Sequence, residues 1–125
     1  NIIKNKFYIK KNNKTLFIKS FDVIHGMIKA TGYVFEKIAY LSDCNKIPNK
    51  SMKNLYNLEY LILDCLKIKK HPSHFNLEDS LKLIETIKPK KTILTNLHTD
   101  LDYDYLKKRL PSHIKPAYDG LSFNF

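Results

Sequence analysis

"LEYLILD", residues 58–64, is the stretch on which the fold turns. From Tyr60 to Leu63 the run is apolar without a polar residue at every second position. Such continuity predicts a strand covered on both faces, as in α/β sheets, rather than one with a face in water. Downstream, "HFNLEDSLKLIETIKP" (74–89) predicts a helix: Asn76 is a natural N-cap and Glu78 and Asp79 complement the dipole of the first turn. Leu77, Leu81, Ile84 and Ile87 form its buried stripe, and Pro89 stops it. "KTILTNL" (91–97) is again an apolar strand, so the centre of the chain reads as strand–helix–strand.

Working outward, "DLDYDYLKKRLP" (100–111) predicts a helix closed by Pro111, with acids in its first turn and bases in its last. "KPAYDGLSFNF" (115–125) predicts one or two strands around an Asp119–Gly120 turn. Upstream, "FYIKKNNKTLFIKSFDVIH" (7–25) reads as a hairpin, with strands near 6–10 and 14–24. "TGYVF" and "KIAYLSD" add two short strands, and "IPNKSMKNLYNL" (47–58) a short helix carrying Met52, Leu55 and Tyr56. The expected class is α/β in a single domain, without repeats or a low-complexity linker.

The placement of ionisable residues is the functional signal. "DVIH" ends in His25, "IAYLSD" in Asp43, "LEYLILD" in Asp64 and "TILTNLH" in His98. Parallel strands would gather such ends at one sheet edge, where α/β sites lie. Any one of them alone reads more simply as structural; four together do not. His71 and His74 sit in the loop after Asp64, which makes Asp64 and one of these histidines a carboxylate–imidazole pair. Asp100, Asp102 and Asp104 follow His98, and helix capping is their plainest use.

Bulk composition narrows the classes. The 22 Lys+Arg against 12 Asp+Glu give a formal charge of +10, yet Arg109 is the only arginine and the lysines are scattered. Base readout and bidentate phosphate clamps rely on arginine, so a dedicated nucleic-acid module is disfavoured while attraction of a small anion is not. No apolar run is long enough for a membrane span. Cys44 and Cys65 form neither a C-x-x-C pair nor a disulfide framework; they read as free thiols of a reducing cytoplasm.

"VIHGMIKATGYVF", "IAYLSDCNKIP", "LEYLILDCL", "HPSHFNLEDSL", "KKTILTNLHTDLDYDYLKKRLP" and "PAYDGLSF" together resemble the C-terminal half of metallo-β-lactamase-fold hydrolases, from about Phe21 onward. Within them they are most similar to phosphoribosyl 1,2-cyclic phosphate phosphodiesterases. The resemblance implies half of an αββα sandwich and two divalent metal ions, Zn or Mn. It assigns His25 to the first metal, Asp43 to a carboxylate bridging both, and His98 to the second. Asp64 and His74 become the pair that handles protons at the scissile phosphate; His71 receives no role. The family's His-x-His-x-Asp-His motif, which supplies the remaining ligands, is absent from the 125 residues.

The expectation is therefore the C-terminal part (1–125) of one metallo-β-lactamase-fold domain, hydrolysing a small anionic, cyclic phosphodiester but inactive alone. It would need the N-terminal half in cis or in trans; homo-oligomerisation is left open. The competing readings are a degenerate, non-catalytic remnant or interaction module, and an RNA-processing endonuclease of the same superfamily. A further expectation is that the sheet face meant for the second sheet, with Leu16, Ile18 and Tyr33, lies uncovered.

Overall fold

The computed structural model describes residues 5–125; residues 1–4, which the sequence assigns to the opening hairpin segment, lie outside them. Among the described residues seven strands form one sheet in sequential order: β1 (Lys6–Lys11), β2 (Lys14–His25), β3 (Ile28–Phe35), β4 (Ile38–Leu41), β5 (Tyr60–Asp64), β6 (Lys91–Thr95) and β7 (Ile114–Pro116). β1 to β4 pair antiparallel, and β4 to β7 pair parallel. Because β2 and β4 are both antiparallel to β3, β2 runs in the same direction as β4, β5 and β6. The carboxyl ends of these four strands consequently share one edge.

Local chemistry explains the turns. Asn12 and Asn13 join β1 to β2 with φ of 48° and 61°, the left-handed pair that a two-residue hairpin wants and asparagine tolerates. Gly26, with φ of 63°, opens the β2–β3 turn directly after His25. Gly32 on β3 matters for another reason. A Cβ there would lie 2.6 Å from Leu41 Cδ2 and 2.9 Å from the Phe21 ring, so its absence lets those side chains close over the strand.

Three helices carry the crossovers: α1 (Asn49–Met52), α2 (Leu77–Ile87) and α3 (Tyr103–Arg109). Sequentially ordered parallel strands with right-handed crossovers place all their helices on one face. The burial agrees, since Leu61 and Leu63 of β5 share one core with Ile84 and Ile87 of α2 and Leu106 of α3. Here the reading of "LEYLILD" is corrected. Leu61 and Leu63 are fully buried, whereas Tyr60 and Ile62, pointing the other way, are only half-buried. The helix-free face also carries Leu16, Ile18 and Tyr33, each half-buried.

Two other expectations change. The helix at 47–58 is a single turn, because the segment breaks up after Met52 to drop Leu55 and Leu58 into the core. The C-terminal segment keeps only the three residues of β7 as strand. Its last residues instead cross the helix-free face, where Phe123 stacks on Tyr60 (centroids 4.4 Å apart) and Phe125 packs edge-on against Phe35. Burying aromatic surface replaces ladder hydrogen bonds there.

Candidate metal centre

The shared strand edge gathers the side chains singled out by sequence, though not as one equal set. One ligand atom each from His25, Asp43 and His74 lies within 4.8 Å of the other two. His25 Nε2 and His74 Nε2 are 3.1 Å apart. His98 stands outside this group: its Nδ1 is 3.1 Å from Asp100 Oδ1, and half of its side chain is exposed. His71 borders the cluster, with its ring centroid 5.2 Å from that of His74 and its Nδ1 accepting weakly from the Ser73 N–H at 3.4 Å. Partial desolvation, then the neighbouring His74 and Lys67, lower the pKa of His71.

Behind His74 lies Asp64, fully buried at the end of β5. Its Oδ2 accepts from His74 Nδ1 at 2.8 Å and from the Cys44 N–H at 3.1 Å; its Oδ1 accepts from Asn96 Nδ2 at 3.1 Å. Burial raises the carboxyl pKa, and the three donors oppose that rise by stabilising the ionised form. The Ser80 hydroxyl donates to the Asp64 carbonyl at 2.9 Å, tying the first turn of α2 to the strand end. A buried carboxylate surrounded by donors fixes the orientation of its imidazole partner, whose Nδ1 must carry the hydrogen.

Further residues, invisible as site residues in the sequence, complete the arrangement. Asn96 follows β6 with φ of 63°, a left-handed conformation that swings its amide onto Asp64. Asn45 accepts from the Gly26 N–H at 3.0 Å and donates to the Pro72 carbonyl at 2.9 Å, lacing the His25 turn to the histidine loop. A Cβ on Gly26 would lie 3.1 Å from Ser73 Cβ, so glycine permits that loop's close approach. Asp100, read above as a helix-capping acid, instead accepts from His98 and from the Ile68 N–H at 3.3 Å. Desolvation opposes its ionisation, but these hydrogen bonds prevail and lower its pKa. The N-cap of α3 is Asp102, which accepts from the Tyr105 N–H. The signal for Asn96 and Asp100 was their nearness to His98 in sequence, but only the pairing geometry separates a histidine partner from a cap.

Cys44 and Cys65 are buried, unpaired to each other and held protonated. Burial, with Asp64 and Asp43 nearby, pushes the Cys44 thiol far up, and burial takes Cys65 to about 12. Neither serves as a nucleophile in this state.

Imidazole nitrogens and a carboxylate thus converge at the carboxyl edge of a mixed α/β sheet, and the matches to known proteins identify the fold as that of the metallo-β-lactamases. Residues 6–96 match the model of the beta-lactamase superfamily domain, and the chain belongs to that family. It is similar to the crystal structure of a diphosphatase from the PhnP family, with 35% identity and a TM-score of 0.89 over 98% of this chain and 47% of that one. It is similar in fold to human tRNase Z, short form, at 16% identity and a TM-score of 0.69, over 94% of this chain and 44% of that one. Among curated proteins it is 30% identical over 109 residues to an octanoyltransferase of Porphyromonas gingivalis, covering 85% of this chain and 22% of that protein. The chain thus spans about a fifth of that curated relative and about half of the two solved structures.

Proposed function

We propose that the chain is the C-terminal part of a metal-dependent phosphodiester hydrolase acting on a small anionic, cyclic substrate, and that it is inactive without an N-terminal half bearing the His-x-His-x-Asp-His motif. The observation that carries this reading is the Asp64–His74 pair beside His25 and Asp43. The similarity to a PhnP-family diphosphatase supports chemistry at phosphorus. The octanoyltransferase name describes a protein of which this chain covers 22%, and the two protonated, buried thiols give it no support here.

The donor set fits divalent transition ions, since imidazole suits Zn and carboxylate suits Mn. In the complete domain His25, Asp43 and His98 are the residues proposed to hold two ions. Bound there, such ions would activate water near neutral pH and neutralise phosphate charge. The rest falls to the protein. Asp64 keeps the Nδ1 hydrogen of His74 in place, so protons are exchanged only at Nε2, the atom facing the cluster. As water forms the new bond to phosphorus and the P–O bond to the leaving group breaks, His74 would pass a proton carried on Nε2 to the departing oxygen, worth about 10²–10⁴-fold. Asp100 orients His98 as a carboxylate partner does for a ligating imidazole. The buried free thiols agree with a reducing compartment such as the cytoplasm, and no helix among the described residues is long and apolar enough to cross a membrane.

The test is steady-state hydrolysis of bis(p-nitrophenyl) phosphate with metal analysis. The chain alone should show no turnover, and supplying the N-terminal half in cis or in trans should restore it. In the restored enzyme Asp43→Ala should abolish turnover, while His74→Ala should slow it about 10²–10⁴-fold with metal content near normal. Persistent inactivity in the presence of the N-terminal half would make the chain a non-catalytic remnant.

A further inference from the structure

The two imidazoles at the centre of the site pose a proton-counting problem. Asp64 accepts three hydrogen bonds and is fully buried, so His74 Nδ1 carries a hydrogen and Nε2 is the ring atom presented to the cluster. That nitrogen faces His25 Nε2 at 3.1 Å. At this distance the two nitrogens share either a hydrogen carried by one of them or a cation bound by the lone pairs of both. The carboxylate of Asp43 reaches the same space, with its oxygen within 4.8 Å of both nitrogens. Its Oδ2 accepts from the Ser42 hydroxyl at 3.2 Å, which leaves acceptor capacity for a cation. His98 is engaged elsewhere, with Asp100.

We propose that, in this chain as it stands, His74 joins His25 and Asp43 as the third ligand of a single divalent transition-metal ion. The inference rests on the functional reading above for His25 and Asp43 and departs from it at His74, there assigned to proton transfer. The two roles belong to different states. Where the N-terminal ligands are present, His74 Nε2 is free to carry a proton. Where they are not, the same lone pair completes a site of two imidazoles and one carboxylate, the minimum protein set of an open zinc centre. Asp64 and Asn96 are the positioning residues that aim it.

The experiment uses the 125-residue chain, Co²⁺ and Zn²⁺ as probes, and histidine-resolved ¹H–¹⁵N spectra of the five imidazoles. One equivalent of Zn²⁺ should move the signals of His25 and His74 together and leave those of His98 and His113 in place. Calorimetry should give one site per chain. His74→Asn keeps a donor where Nδ1 hydrogen-bonds Asp64 but has no Nε2, so it tests ligation without unfolding the loop; circular dichroism checks that it folds. It should weaken binding more than about tenfold, because even loss of an outer partner costs about 10–100-fold. Asp43→Ala should do the same, and His98→Ala should change affinity by well under the roughly tenfold lower bound of such outer-partner effects. If Zn²⁺ moves His98 rather than His74, and His98→Ala rather than His74→Asn weakens binding, this inference falls while the ligand set proposed for the complete enzyme stands. If Asp43→Ala leaves affinity unchanged, both fall. An unmodified chain that binds neither ion overturns the inference as well.

Discussion

Asn96 shows how much of the site depends on a single backbone conformation. Its φ of 63° costs an L-residue with a Cβ about 1–2 kcal/mol, and its amide is the only side-chain donor described on Asp64 Oδ1. Two substitutions separate these effects. Asn96→Gly removes the donor but relieves the backbone; Asn96→Ala removes the donor and keeps the strain. Both should destabilise, and Ala should exceed Gly by roughly 1 kcal/mol in urea titrations. Equal losses would mean that backbone geometry contributes nothing. Thr92, buried in β6, offers the opposite sign: its hydroxyl has no hydrogen-bond partner among the described residues, so Thr92→Val should stabilise by about 1 kcal/mol or more in the same assay.

At the level of elements, α2 is held at both ends by features of different quality. Asn76 at its N-cap accepts from the Asp79 N–H at 3.1 Å and also donates to the Ile68 carbonyl at 3.1 Å. The helix start and the loop that follows β5 are thereby joined through one side chain. Asn76→Ala should cost about 2 kcal/mol, the upper end for a lost cap, because it breaks two contacts of a buried residue. The C-cap, Lys88, sits at φ of 54°, where glycine is preferred. Lys88→Gly should therefore raise stability by about 0.5–1 kcal/mol, read as a higher denaturation midpoint with unchanged slope.

Across the whole molecule the asymmetry of the sheet governs what a mutation costs. Leu61 lies in the helix-covered core, and Leu61→Ala should cost about 2–5 kcal/mol; its neighbour Ile62, half-buried on the opposite face, should cost clearly less on the same change. Comparable losses would show that both faces are sealed. Acid stability has its own test in Asp22, whose pKa is lowered by the hydrogen bond from Lys50 and by Lys29. A depressed carboxylate contributes stability above its unfolded value and loses it as pH falls through the lower folded value. Asp22→Asn should flatten the acid limb of the stability–pH curve below about pH 4, by less than 1 kcal/mol or about that, since the pair is exposed.

Periodicity and punctuation alone established the two hairpin strands, the α2 helix with its Asn76 cap and Pro89 stop, and the alternation that makes the sheet parallel beyond β4. These are short-range properties: a cap, a turn or an apolar run acts within a few residues. The same patterns placed His25, Asp43, Asp64 and His98 at strand ends, and parallelism carried those ends to one edge. Tertiary structure decided what strand ends cannot. It set His74, which the residues alone could not separate from His71 and which the resemblance had picked, against Asp64, gave Asp100 to His98 while Asp102 capped α3, and brought Asn96 across to the buried carboxylate. It also left one face of β5 without helices, although Ile62 is as apolar as Leu61 and Leu63. Hydrophobicity says that a side chain gains by burial; which surface buries it depends on the strand order and on the hand of the crossovers, and both are settled only when the whole sheet assembles.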